Sequence, residues 1–282
     1  MSADRLLSVE EARDAVFKAI AGPTASEIAW LSEARGRVVA EPVTSPIALP
    51  PWDNSAMDGY AIRSADVAAA AEDVPTQLEV IGEVRAGQAP DVTVRRGSAV
   101  RIATGAPVPP GADAVVPVEQ TTPLGADGVA AGPRGRDATG PLPAAVLIHA
   151  AIPVGGSIRR AASDLAAGAR ILDAGTVMTP AAIGLAAGVG LDQLRVHRRP
   201  IVGILATGDE VRSPGSELGP AGIPDANGPA LIAMIEAAGG DPRVLGIAKD
   251  RLEDVKSRIC AGLVEGADAL IVSGGVSVGP YD

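Results

Sequence analysis

The stretch Ala269-Leu-Ile-Val-Ser-Gly-Gly-Val-Ser-Val-Gly-Pro-Tyr-Asp282 decides how this chain folds. Ala269 to Val272 is an uninterrupted apolar run, which predicts a strand buried on both faces, as in a parallel sheet. Gly274 and Gly275 then let the backbone turn sharply and let a ligand come close. Ser277 and Gly279 keep the following loop small, and its free N–H groups suit an anionic oxygen such as a phosphate. Open α/β sheets bind their ligands outside the carboxyl ends of their strands, where such a loop would stand. Asp282 follows the loop, close to any metal–phosphate held there. A Gly-Gly turn after a strand is equally compatible with a plain turn, so the reading rests on what precedes it.

Working back from that strand, the period alternates between strand and helix as far as residue 200. Ile201 to Leu205 predicts a buried strand leading into Thr207-Gly208-Asp209-Glu210. Pro229 to Ala238 predicts a helix, and Val244 to Ile247 a strand ending at Asp250. Leu252 to Val264 predicts a second helix, with Leu252, Val255, Ile259 and Leu263 on one face. With 269–273 these elements make a βαβαβ unit with parallel strands. Parallel strands share one carboxyl edge, so Asp209, Glu210, Asp250 and the loop from Gly274 to Asp282 are expected to converge there. Carboxylates beside an anion-holding loop suit a hard cation such as Mg2+, which takes oxygen ligands and bridges to phosphates. The competing reading is a set of unrelated, solvated loop acids. The only histidines are His149 and His197, and there is no Cys-x-x-Cys, so no zinc site is expected. Nor is there a P-loop or a Gly-x-Ser-x-Gly motif.

The first part of the chain reads differently. Ser8-Val9-Glu10-Glu11 is a capping-box pattern, and Ala12, Val16 and Ile20 follow at helical spacing before Gly22-Pro23. Gly36 to Ala40 predicts a strand. Pro50-Pro51-Trp52-Asp53-Asn54-Ser55-Ala56-Met57-Asp58-Gly59-Tyr60-Ala61 predicts an ordered loop, anchored by large side chains while presenting Asp and Ser. Residues 76–120 look all-β, with strands at Gln77–Ile81 and Val92–Arg95. Thr104 stands where an apolar strand meets a glycine turn, either as a site hydroxyl or satisfying its own turn. Residues 121–144 read as a loop or weak hairpin. Gly155 to Asp164 sets Arg159, Arg160 and Asp164 around a turn, which suits either an anion fork or a surface Arg–Asp pair. Thr179-Pro180 opens a further helix that ends by Gly188 and Gly190.

Length and composition bound the rest. The chain has 282 residues, enough for about two domains. With two Trp, two Tyr and one Phe, its cores must be packed by small aliphatic residues. A formal charge of −10 argues against nucleic acid as a partner. It allows an anionic ligand where backbone amides and a few arginines make a local positive pocket. The single cysteine, Cys260, points away from a disulfide framework and toward a reducing compartment. No signal-peptide core and no membrane-length apolar run is present, so a cytoplasmic location without a membrane partner is expected.

Taken in order, these motifs closely resemble the molybdopterin molybdenumtransferase family, which includes the E domain of gephyrin. The residues that carry the resemblance are Asp53 to Ala61, Thr104-Gly-Ala-Pro107 with Pro110 to Asp113, and Ile158-Arg159-Arg160 with Asp164. They continue with Thr207-Gly-Asp-Glu210, Asp225 and Asn227, Asp250, and Gly274 to Gly279 with Asp282. The resemblance implies α/β architecture plus a β-rich lobe: a three-layer, parallel-sheet, molybdopterin-binding-like domain preceded by an elongated N-terminal region carrying an inserted β-rich domain. The implied division is 1–48 with 145–178 as a linker and dimerisation domain, 49–144 as the insert, and 179–282 as an incomplete molybdopterin-binding domain without the family's C-terminal β-domain. Family proteins insert molybdate into adenylylated molybdopterin and release AMP with the help of Mg2+, as homodimers.

Carried over by position, Asp58, Thr104, Glu210, Asp250 and Asp282 are expected to be catalytic, with Asp250 and Asp282 on the metal. Arg159, Asp164, Asp209, Asp225, Asn227, Gly274, Gly275, Ser277 and Gly279 are expected to contact substrate. Asp58 and Thr104 of one subunit would face the α/β domain of its partner. The family's Gly-Glu before the aspartate is Ala162-Ser163 here, and its second acid after Asp250 is Arg251. Family members also continue past Asp282 into a lysine-rich loop, so the chain is expected to be a truncated form that by itself binds the nucleotide weakly and does not turn it over. The alternative class is a non-catalytic pterin-nucleotide-binding or scaffold module.

Overall fold

The structure is a computed structural model that describes residues 7–135 and 140–275. The chain divides into two compact units, Met1–Val43 with Leu172–Asp282, and Thr44–Ile171. The borders expected from the sequence lay at 48/49, 144/145 and 178/179; here residues 145–171 pack in the same unit as 49–144.

The first helix, α1 (Val9–Ala19), starts as its cap dictates. Ser8 Oγ accepts from the Glu11 N–H at 3.2 Å and Glu11 Oε2 accepts from the Ser8 N–H at 2.9 Å, which satisfies two N–H groups that helix geometry leaves without partners. Gly36–Ala40, expected as a strand, makes only single bridges, Val38 to Val177 and Val39 to Val196. Apolar residues there pack, but no neighbouring backbone runs alongside for long enough to make a ladder.

The unit of residues 44–171 is built on a six-stranded sheet. Its strands are β1 (Gly59–Ile62), β2 (Thr76–Val84), β3 (Ser98–Ile102), β4 (Ala114–Pro117), β5 (Thr121–Leu124) and β6 (Ala145–Ile148), in the order β4-β1-β3-β2-β6-β5. Only β2 and β3 run parallel. Alternation along β1 serves two cores: Tyr60 and Ile62 join Leu78, Val116 and Ile148 on one face, while Ala61 joins Val84, Val100 and Val115 on the other. Small aliphatics fill both faces, as composition required.

Two expectations fail here. Gly59–Ile62 is not the tail of a loop but a fully buried central strand. Gly59 is needed at its start, because a Cβ there would stand 1.9 Å from the Val116 carbonyl oxygen. Conversely, Val92–Arg95 is not a strand. Its alternation is real, since Val92 and Val94 pack into a core, but the backbone makes only isolated bonds such as Val94 N–H to Pro110 O at 2.8 Å.

In the other unit, Ser26–Trp30 pairs antiparallel with Gln193–His197. Helix α2 (Pro180–Gly188) is capped by Thr179, whose Oγ1 accepts from the Ala182 N–H at 3.2 Å, with proline in its first turn. Then come β7 (Ile201–Thr207), α3 (Asn227–Ala237), β8 (Asp241–Ala248), α4 (Leu252–Val264) and β9 (Ala269–Ser273). The three strands are parallel in the order β8-β7-β9, and both helices pack against β7 and β8. Leu270 fills the space over Gly203 and Leu245 the space beside Gly262, where a Cβ would come within 2.4 Å and 2.7 Å of them respectively. Val255 and Ile259 of α4 are half-buried, but Leu252 and Leu263 are exposed. Strand β9 is not buried on both faces: it is an edge strand with Ala269 and Val272 exposed. No helix among the described residues is long and apolar enough to cross a membrane.

Candidate functional site

Because β7, β8 and β9 are parallel, Thr207, Ala248 and Ser273 end at one edge of the sheet. Thr207 lies opposite Ala248, and Ala206 opposite Ser273. The segments that leave this edge are tied to one another. The Asp209 N–H donates to Asp250 Oδ2 at 3.1 Å, and the Gly208 N–H donates to Ala248 O at 3.1 Å. Asn227 Nδ2 donates to Ser273 Oγ at 2.7 Å, and Thr207 Oγ1 donates to Ser273 O at 3.4 Å. Asp209, Glu210, Asp225, Asn227, Asp250, Gly274 and Gly275 therefore belong to one edge and the turns that leave it. Ser277, Gly279 and Asp282 lie outside the described residues.

Local sequence explains these positions. Gly208 and Gly274 have φ of +141° and +113°, conformations that side chains rarely adopt. Asp225 Oδ1 accepts from the Gly228 N–H at 2.9 Å, and its carboxylate occupies the space that a Cβ on Gly228 would need. The turn carrying Asp250 is held by Asp254 Oδ2, which accepts from the Lys249 N–H at 2.8 Å. That bond, with Arg258 and Lys249 nearby, holds the Asp254 carboxyl below its ordinary value. Asp254 was missed in the sequence; its signal is an acid in the first turn of α4.

Asp209, Glu210, Arg212 and Glu217, with residues 218–222, line a cleft of about 530 Å³. Among the described residues no three His, Cys, Asp or Glu side chains surround a point that an ion would fill. Asp250, exposed and with Oδ2 taken by a backbone N–H, is the one described carboxylate of the expected metal pair.

The second group of expected site residues lies in the 44–171 unit. The Thr104 N–H and Oγ1 both donate to Asp58 Oδ1, at 2.7 and 2.9 Å, and both residues are exposed. The loop that carries Asp58 is clamped on two sides. On one, Gly105 N–H donates to Ser55 O at 2.8 Å and Val108 N–H to Asp53 O at 3.0 Å. On the other, Ala56 N–H donates to Ser157 O at 2.8 Å, Ala161 N–H to Asp53 Oδ1 at 2.8 Å, and Asp164 N–H to Leu49 O at 2.9 Å. Arg160 completes this with a 2.6 Å ion pair to Asp53. The Ala161 N–H first, and Arg160 second, hold the Asp53 carboxyl below its ordinary value.

The turn in question thus pairs Arg160 with Asp53 rather than with Asp164. Arg159 sits opposite Asn54 in a short antiparallel pair and is exposed, and its side chain makes no hydrogen bond or ion pair among the described residues. Asp164 accepts from the Ser163 hydroxyl at 3.1 Å. Ala162, in the place of the family glycine, has φ of +61°, and Ser157 has φ of +51°. They are the only non-glycine residues in that region among those described.

Comparison with known proteins agrees with this organisation. Residues 7–190 match the family described as MoeA N-terminal region (domain I and II), and residues 203–282 match a probable molybdopterin binding domain. The chain is 39% identical over 252 residues to molybdopterin molybdenumtransferase 2 of Mycobacterium tuberculosis, covering 89% of this chain and 58% of that protein. It is 38% identical over 257 residues to the molybdopterin molybdenumtransferase of Nostoc sp., covering 91% of this chain and 55% of that protein. The chain therefore spans a little over half the length of these curated relatives. A crystal structure of the molybdopterin biosynthesis MoeA protein from Pyrococcus horikoshii superposes with a TM-score of 0.76 at 28% identity, over 94% of this chain and 66% of that one.

Proposed function

The chain belongs to the MoeA family, and from that premise we propose that it serves molybdenum cofactor biosynthesis by inserting molybdate into adenylylated molybdopterin with release of AMP. The observation that carries this reading is the carboxyl edge of the β8-β7-β9 sheet, where Asp209, Asp250, Asn227 and the start of the glycine loop are tied together by hydrogen bonds.

On this reading the N–H groups of Gly274 and Gly275 receive phosphate oxygens, as backbone amides do in other anion sites. Asp250 and, outside the described residues, Asp282 would hold Mg2+, which takes oxygen ligands and keeps several of its waters. Mg2+ when bound supplies charge neutralisation at the phosphoanhydride. Glu210 and Asp209 face the cleft beside the edge and orient the substrate. Asp58 fixes the Thr104 hydroxyl by accepting its hydrogen bond, which leaves the lone pairs of that oxygen to accept from a bound group. Arg159, whose side chain has no hydrogen bond or ion pair among the described residues, supplies a fork for an anionic oxygen, and Asp164, on the turn that follows, is a further substrate contact.

We also propose the homodimer, with Asp58 and Thr104 of one subunit completing the partner's site, the three-part domain division, and a cytoplasmic location. Their support is the family membership and the single cysteine. The test is a single turnover. The purified protein, given adenylylated molybdopterin, molybdate and Mg2+, should release AMP only when molybdate is present. Tight nucleotide binding with no AMP release would identify the alternative, a non-catalytic holder of the nucleotide. No binding at all would overturn both.

A further inference from the structure

Resting on the reading of this sheet edge as the nucleotide site, we propose that Ser273 and Thr207 are positioning residues. With Asn227 they form a clasp that sets the direction in which Gly274 and Gly275 leave the sheet, and so the direction in which their N–H groups meet an anion.

The geometry is specific. Ser273 is the last residue of β9 and is held at two atoms from two different elements. Its Oγ accepts from Asn227 Nδ2 at 2.7 Å, which ties it to the first turn of α3. Its carbonyl accepts from Thr207 Oγ1 at 3.4 Å, which ties it to the end of the central strand β7. Thr207 then shapes the exit itself. At Gly274 a Cβ would stand 2.4 Å from Thr207 Oγ1 and 2.6 Å from Thr207 O, so the loop leaves by running across the end of β7. These ties have a reason to exist. Among the described residues, strand β9 is hydrogen-bonded to a neighbour on one side only, and it is exposed at Ala269 and Val272. The end of such a strand opens locally at low cost unless side chains hold it. A loop that must present N–H groups to a phosphate gains its affinity from being held in place beforehand.

Asn227 has a double part on this account. One of its Nδ2 hydrogens is spent on Ser273, while its Oδ1 accepts from no group among the described residues and can meet a ligand. Ser273 and Thr207 act through the glycines and need not touch the ligand.

Two readouts test the clasp. In the ligand-free protein, Ser273→Ala should speed amide hydrogen exchange in the 270–275 segment roughly tenfold, the effect of losing about one hydrogen bond. Exchange in α4 and the melting temperature should stay as in the wild type. Asn227→Ala should do the same, and the double variant should add nothing further, because both remove one bond. Ser273→Thr, which keeps the hydroxyl, should restore the wild-type rate. Thr207→Val against Thr207→Ser repeats the comparison from β7. In the second readout, titration with AMP, Ser273→Ala should bind several-fold more weakly and Ser273→Thr should recover. Unchanged exchange, fully additive losses, or AMP affinity untouched by Ser273→Ala would overturn the proposal. A wild-type protein that binds no AMP would instead overturn the nucleotide reading of the edge, while the exchange data would still judge the clasp.

Discussion

Both donors of Thr104 meet one oxygen of Asp58, the backbone N–H at 2.7 Å and the hydroxyl at 2.9 Å. The two residues are exposed and 46 positions apart, so the pair does little for the core. A Thr104→Val variant keeps the N–H bond and the shape while deleting the hydroxyl. Its stability should change by no more than about 0.5 kcal/mol, as for other surface substitutions. Molybdate-dependent AMP release should fall by a factor on the order of 100, the scale seen when one positioned donor is removed from a reaction centre. A variant that is equally active, or one that is inactive because it no longer folds, would count against a role in the chemistry.

The proposed composite site makes a stronger demand. Asp58→Ala and Asp250→Ala subunits should each be inactive as homodimers. Mixed, they should recover part of the activity, because one of the two sites would then hold both native residues. Absence of recovery in verified mixed dimers would place the two groups in separate functions.

Ala162 occupies the left-handed region at φ +61°. An L-residue there costs roughly 1–2 kcal/mol, and glycine removes that cost while raising unfolded-state entropy by roughly 0.5–1 kcal/mol. Ala162→Gly should therefore stabilise the protein by about 0.5–1 kcal/mol, measured as a higher denaturation midpoint in urea at unchanged slope. A lower midpoint would mean that the turn is not strained.

Acid sensitivity follows from paired carboxylates. Asp268 accepts from Arg198 at 2.5 and 2.6 Å and from the Ile201 N–H at 2.8 Å, and these bonds, Arg198 foremost, hold its carboxyl below its ordinary value. A carboxyl lowered by folding adds stability at neutral pH and loses it as pH falls through the folded value. Asp268→Asn should thus be less stable than the wild type at pH 7, and the two should converge as the medium is brought below about pH 4. A gap that stays constant across that range would show that the asparagine perturbs packing rather than charge.

Helices α1, α2 and α4 and the parallel strands were legible because their signals are local: a capping box at Ser8, a Thr-Pro start at Thr179, and apolar runs of the right length. The sheet edge followed from those strands, since parallel direction alone gathers their carboxyl ends. Strand Gly59–Ile62 was not legible. The prolines, Asp53 and Asn54 before it speak for a loop, and its burial comes from β3 and β4, which pair with it from distant sequence. The reverse happened at β9, where a run of apolar residues promised two covered faces and the strand lies at the edge. The contact of Asp58 with Thr104 was not legible: the family resemblance put both residues on the β-rich lobe, but spacing carries no trace of a contact 46 residues long. Ser273 read as one more strand residue until its partners were seen.

The way the chain leaves one unit and returns to it has a consequence for synthesis. The pairing partners of Ser26–Trp30 are Gln193–His197, and Thr24 Oγ1 donates to Arg198 O across 174 residues. All of Thr44–Ile171 lies between. On a ribosome the amino-terminal segment must emerge and wait while the whole six-stranded unit is made. The six-stranded sheet has its own cores and all of its ladder partners within that unit, so it can fold while the segment before it is still unpaired. The order of folding is thus written into the connectivity: the interruption matures first, and the unit it interrupts is completed last.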